Sequence, residues 1–154
     1  DDAVTADKID VSTFSYVLAR RNATSTIPTS SGTAVVFQNE VADTNGEYNA
    51  STGVFTAASD MNVVVTTGVR FQEAAGAITY VGIQKALAAS PTSFTSVVET
   101  NIPSPAGYFP LTASTGISLA AGDKLRVIVY QNQGGNRTLD SNGTTGYITI
   151  TRSV

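Results

Sequence analysis

Acids supply most of the reactive side chains in this chain: 12 Asp and Glu stand against 9 Lys and Arg, and the 154 residues include no histidine and no cysteine. A Ser-His-Asp or Cys-His nucleophile therefore cannot be assembled, and the usual general base near neutral pH is missing. What remains is oxygen chemistry. Two carboxylates can flank a glycosidic bond, and the stock is Glu40, Asp43, Glu47, Asp60, Glu73, Glu99, Asp123 and Asp140. Their spacing favours no pair, and most sit beside turn residues, where an acid caps backbone N–H groups or is solvated. The expectation is a non-enzymatic protein without a cofactor.

Asp43-Thr44-Asn45-Gly46-Glu47 gathers oxygens as a calcium loop does. Calcium loops place glycine sixth, however, and Gly46 is fourth, so the segment reads as a hairpin corner with no metal. The polar loop Gln131-Asn132-Gln133-Gly134-Gly135-Asn136-Arg137 is rich in amides and suits contacts to a sugar or small ligand, or a solvated connector. Its candidate ligand residues are Gln131, Asn132, Gln133, Asn136 and Arg137. Asn-x-Ser/Thr sequons begin at Asn22, Asn49, Asn136 and Asn142, a number close to chance in a chain so rich in these residues.

The elements that must carry these groups are strands. Charged residues make up only 14% of the chain, and Thr, Ser, Ala, Val and Gly dominate, a β-rich vocabulary. Asn62 to Phe71 alternates most clearly, with Val63, Val65, Thr67, Val69 and Phe71 on one face. Phe14 to Ala19, Thr33 to Phe37, Ile78 to Lys85, Phe94 to Thr100, Lys124 to Tyr130 and Tyr147 to Arg152 follow the same period. Tyr108 to Ala113 and Ile117 to Leu119 read as a strand broken at Ser114-Thr115-Gly116. Lys124 to Tyr130 is apolar on both faces, as a strand covered from outside by another subunit would be. Ala86 to Ala89 offers one helical turn, stopped by Ser90-Pro91. The pattern is all-β, with nine or ten strands in two sheets.

A net charge of -3 with only one basic pair, Arg20-Arg21, argues against nucleic-acid binding. No apolar run is long enough to insert in a membrane as a helix. Residues 1–12 read as a tether from an upstream stalk, and 13–154 as one head domain; the start at Asp1-Asp2 suggests a piece of a longer protein.

Two stretches carry a family likeness. Tyr48 is followed by Gly53 and Phe55-Thr56-Ala57 leading into the long central strand, and Leu119-Ala120-Ala121-Gly122-Asp123 leads into a later one. This order resembles the globular head of the first complement component and its tumour necrosis factor-like relatives. Those proteins continue Phe-Thr with Pro and Gly-x-Tyr; this chain has Ala58-Ser59-Asp60-Met61-Asn62. The resemblance implies a ten-stranded jelly roll, a homotrimer about a three-fold axis, and a recognition role, with Tyr48, Gly53, Phe55, Gly122, Asp123 and Tyr130 shaping the trimer-forming head. Val4 to Asp10 is similar to a short repeat of tailed-bacteriophage fibres and needles. Together they imply a bacteriophage tail-fibre or tail-needle tip, a virion knob that attaches to a host-surface receptor or glycan. The alternatives are a structural cap or plug of a trimeric stalk, or a carbohydrate-binding module.

Overall fold

The computed structural model describes residues 14–72, 78–103 and 108–153. The expected tether lies outside these residues, as do Glu73, Gly76 and Pro105. Among the described residues there are thirteen strands and no helix. They are β1 (Tyr16–Arg20), β2 (Ser25–Ile27), β3 (Thr33–Val35), β4 (Asn39–Asp43), β5 (Tyr48–Asn49), β6 (Val54–Thr56), β7 (Met61–Phe71), β8 (Ile78–Ala86), β9 (Thr95–Pro103), β10 (Phe109–Leu119), β11 (Lys124–Gln131), β12 (Arg137–Leu139) and β13 (Tyr147–Ser153). The count exceeds ten because β2, β3, β5, β6 and β12 are pairings of two or three residues.

Two antiparallel sheets result. One has seven strands in the order β2-β12-β7-β13-β1-β4, with β10 also on β7; the other has six in the order β5-β6-β11-β8-β9, with β3 also on β11. Consecutive strands repeatedly change sheets, which is a jelly-roll sandwich. Alternation decides what lies between the sheets. Val63, Val65, Val69 and Phe71 of β7 face Phe55, Val81, Ile83, Leu125, Val127 and Val129 of the other sheet, all nearly inaccessible. Each such side chain contributes about 1.5–3 kcal/mol on burial.

Three expectations are corrected. Asn45-Gly46 is not a hairpin turn: β4 pairs with β1 in the first sheet and β5 with β6 in the second, so this turn crosses the sandwich. Gly46 is still left-handed there, at φ 68°, and the hairpin lies one turn later, at Ser51-Thr52-Gly53. Secondly, β10 is unbroken and pairs residue for residue with β7 from Phe109 to Leu119; the small polar Ser114 faces outward and shares a 2.8 Å hydroxyl contact with Thr66. Thirdly, the outward Ile128 of β11 is covered within its own chain. It is 6% exposed because Gly32 and Gly82 leave room for it; a Cβ at Gly32 would lie 2.8 Å from its Cδ1. Leu87 to Ser90 forms only a turn, closed by a 2.9 Å bond from Ser90 N to Leu87 O.

Candidate functional site

The sandwich has two poles. Strand β11 runs from one to the other over eight residues, about 26 Å. Phe14 and Ser153, the two ends of the described chain, lie at the pole where β11 begins, because β1 starts and β13 ends beside the start of β7. We call this pole proximal and the other distal.

At the proximal pole the two family-like stretches meet. Gly122 N donates to Ala57 O at 2.8 Å and Ala57 N to Asp123 O at 2.9 Å, so the two segments clasp each other through the backbone. Gly122 takes φ 84°, and a Cβ there would touch that of Ala88. Asp123, 3% exposed, accepts from Ala88 N at 2.9 Å and Ala120 N at 3.0 Å. It also pairs with Lys85 at 2.8 Å. The Lys85 hydrogen bond holds its carboxyl below the usual range against the opposing effect of burial, and the two N–H groups reinforce this.

Phe55 is fully buried and pairs with both Tyr48 and Leu125. Tyr48 is buried too; its hydroxyl donates to Phe37 O at 3.3 Å and accepts from Phe37 N at 3.2 Å. Burial pushes the phenol up to about 12. Gly53 forms a joint. β6 and β3 pair end to end along the same edge of β11, through residues 124–126 and 127–129. Where they abut, Gly53 has φ 72° and a Cβ would stand 2.4 Å from Val35 O. Backbone angle and space both demand glycine.

The segment read as a possible calcium loop is held internally. Asp43 accepts from Asn45 N and Tyr48 N. Glu47, 6% exposed, accepts from Ala58 N at 2.9 Å and from the Ser15 hydroxyl. A cleft of about 930 Å³ opens at this pole, with Met61 and Leu119 at its floor, exposed Phe14 and Leu87, and Lys85 and Arg152 among its polar groups.

The loop 131–137 sits at the distal pole with Tyr130, away from Tyr48, Gly53, Phe55, Gly122 and Asp123. Gln131 is wholly buried: its amide donates to Ile27 O and Gly135 O, both at 2.9 Å, and accepts from Gln133 N at 2.9 Å. Gln133 bonds Thr79 Oγ1 at 3.3 Å and accepts from Arg137 Nε at 3.1 Å. Arg137 also donates to Asn136 O. Asn132 is exposed, but its Oδ1 accepts from Ile78 N at 2.8 Å. Asn132 and Asn136 are thus the outward members, while Gln131 organises the loop. Tyr130 stacks on Tyr80 across β8, with centroids 5.0 Å apart and planes within 9°.

Two polar anchors at this pole, Arg21 of the one basic pair and Asp140 of the acid stock, carried no sequence signal of the bonds they make. Arg21, 2% exposed, donates to Asp140 O at 2.9 Å, Val36 O at 3.0 Å, Ala23 O at 2.7 Å and Ser25 Oγ at 2.8 Å. Asp140 itself binds Arg70, Gln72 Nε2 and Ser141 N. Burial pushes its carboxyl up, but the Arg70 and Gln72 hydrogen bonds prevail and hold it below its usual range.

No family model and no curated protein sequence matches the chain. Solved structures do. Eiger TNF from S. frugiperda superposes with a TM-score of 0.71 at 11% identity, over 92% of this chain and 93% of that one. Murine APRIL at pH 5.0 gives 0.72 at 11% identity, covering 91% and 99%. The globular domain of zebrafish complement 1qA gives 0.64 at 16% identity, covering 92% and 96%. Across nearly the whole of its length, the chain has the jelly-roll fold of the tumour necrosis factor and complement 1q globular domains.

Proposed function

We propose that this domain is the homotrimeric, non-enzymatic knob of a bacteriophage tail fibre or tail needle, exposed on the virion, which attaches to a host surface. The observation that carries the reading is polarity: both ends of the described chain lie at the proximal pole, and the loop 131–137 lies at the other. A chain tethered at its proximal pole presents its distal loops outward. The trimer draws support from the outward face of the seven-stranded sheet. Leu18, Val64, Thr66, Ser114, Thr149 and Thr151 form an uncharged centre, with Val64 45% exposed. An uncharged sheet face of that kind suits a neighbouring copy. Light scattering at micromolar concentration tests the assembly: a mass three times that of the chain is expected, and a monomer overturns it.

One observation favours a second reading, a structural cap. Much of the polar capacity of the loop is engaged internally, through Gln131, Gln133 and Arg137. Binding of the fluorescently labelled trimer to intact bacteria of a strain panel separates the two. Attachment to particular strains supports the receptor-binding knob; a folded trimer that attaches to none supports the cap.

A further inference from the structure

Arg20, Arg21, Arg70, Lys85, Arg137 and Arg152 each direct a terminal nitrogen to an oxygen of the chain. Among the described residues, Lys124 and Arg126 are the basic side chains that do not. They are neighbours. Leu125, Val127 and Val129 of β11 point into the core, so Lys124 and Arg126 project together from the outer face of the six-stranded sheet, their Cα atoms about 7 Å apart. The residues paired with them are Thr56 and Val54 on β6 and Ala86 and Gln84 on β8, none of them charged.

Arg126 is held in place without being neutralised. Its guanidinium lies over the Phe94 ring, with Cζ 3.9 Å from the centroid, and Nε donates to Gln84 Oε1 at 2.9 Å. Gln84 is fixed behind it, 9% exposed and with Nε2 3.5 Å from Ser96 Oγ. That hydroxyl donates to Glu99 Oε1 at 2.6 Å, and Glu99 forms no ion pair with Arg126. Burial lowers the Arg126 pKa, and no carboxylate offsets it as Asp140 does for Arg21. The remaining edge of the guanidinium, Nη1 and Nη2, is therefore a positioned pair of donors beside a second cation.

The charge decides the ligand. One carboxylate would match Arg126 and leave Lys124 without a counter-charge. A phosphate monoester carries about −1.5 to −2 and has oxygens for both a guanidinium fork and an ammonium. We propose that Arg126 and Lys124 form a binding site for a phosphate group, free or as a monoester on a larger molecule, with Phe94 and Gln84 as positioning residues. The site lies on the sheet opposite the face assigned to trimer contacts, so it stands apart from the assembly and from host attachment.

The test is titration calorimetry of the whole chain at constant ionic strength, with inorganic phosphate, methyl phosphate and acetate as probes. Phosphate should bind at least about tenfold more tightly than acetate. Methyl phosphate binding as well as the inorganic ion identifies a carried monoester as the ligand; binding of the inorganic ion alone identifies free phosphate. Arg126→Gln should weaken phosphate binding about tenfold and Lys124→Gln about threefold, and Arg126→Lys, which keeps the charge but not the fork, should still lose about threefold. Arg20→Gln removes an equal charge at the distal pole and should leave binding unchanged. Lys124 bonds no oxygen of the chain, so its variant remains a test even where Arg126→Gln, which releases Phe94, fails to fold. Phosphate held no better than acetate, unchanged binding in Lys124→Gln, or an equal loss in Arg20→Gln overturns the site.

Discussion

The two poles of the sandwich close their backbones with opposite chemistry. At the proximal pole the closing groups are carboxylates that accept from loose N–H groups: Asp43 from Tyr48, Glu47 from Ala58, Asp60 from Ala121, and Asp123 from Ala88 and Ala120. At the distal pole they are mainly donors that reach loose carbonyls, Arg20 to Gly143, Arg21 to Asp140, Val36 and Ala23, and Gln131 to Ile27 and Gly135, with Asp140 and Asn132 as acceptors for Ser141 N and Ile78 N. Every buried backbone group needs a partner, and a sandwich strands such groups wherever strands cross between sheets. Carboxylates titrate in mild acid and guanidinium and amide groups do not. The contrast therefore predicts that acid-sensitive groups concentrate at the proximal pole, with Asp140, whose carboxyl is also held below its usual range, as the distal exception.

The largest effect should come from the donor-closed pole. Arg21→Ala removes a buried guanidinium and leaves the carbonyls of Asp140, Val36 and Ala23 without it, and it empties the space against which Gly146 packs. Urea unfolding should show a loss of about 4 kcal/mol. Arg21→Lys should recover less than half, since an ammonium cannot span partners fixed in a planar fork. A loss below about 1 kcal/mol for Arg21→Ala would break the comparison at this end.

The joint between the poles comes next. Gly53→Ala forces a Cβ to 2.4 Å from Val35 O at φ 72°, whereas Gly46→Ala meets a similar φ of 68° with nothing within 4 Å. Backbone strain alone costs about 1 kcal/mol, so Gly46→Ala should lose about that much. Gly53→Ala should lose about 3 kcal/mol, the excess being the steric clash of strands β3 and β6 parting along β11. Equal losses in thermal melts would mean that the joint is not tight.

These contrasts also mark what was legible in the chain. The period of β7 and the Gly53, Phe55 and Gly122-Asp123 positions could be read locally, because alternation and left-handed glycines depend on near neighbours. Asn45-Gly46 carries a hairpin's chemistry, but which sheet receives the next strand is decided by pairings outside the turn itself, Val17 with Asp43 and Tyr48 with Phe55. Strand β4 escaped notice because it is an edge whose residues are largely exposed, leaving no alternation. Arg21 read as half of a basic pair and Gln131 as a candidate ligand residue, since the partners that bury them stand 119 and 104 residues away. The Arg70–Asp140 pair was hidden likewise, its members being 70 residues apart.

At the acceptor-closed pole, Asp123→Asn should cost about 2 kcal/mol at pH 7, through the lost Lys85 pair and one displaced N–H acceptor. The sign of its pH dependence follows from the lowered native carboxyl. The unfolded chain then binds the proton more readily, so Asp123 contributes its stability above the ordinary carboxylate value of about 4, and that contribution is lost as pH falls through the lower native value. Wild type and variant should converge in melts below about pH 4, while the Arg21→Ala difference persists. Convergence of both would erase the distinction between the poles.

The smallest change probes the alkaline side, where a buried phenol rather than a carboxylate titrates. Tyr48→Phe removes a hydroxyl that both donates to Phe37 O and accepts from Phe37 N, which should cost about 1 kcal/mol at neutral pH. The native phenol is pushed up to about 12 from its ordinary value of 10.0, so the unfolded chain releases this proton first. Its contribution is fully present below pH 10 and is lost as pH rises toward about 12. Wild type should therefore lose stability across that window faster than Tyr48→Phe, and the two unfolding curves should cross. If they stay parallel to pH 12, the phenol is reachable by water, and the clasp between the β3–β4 connection and β5 is looser than its burial implies.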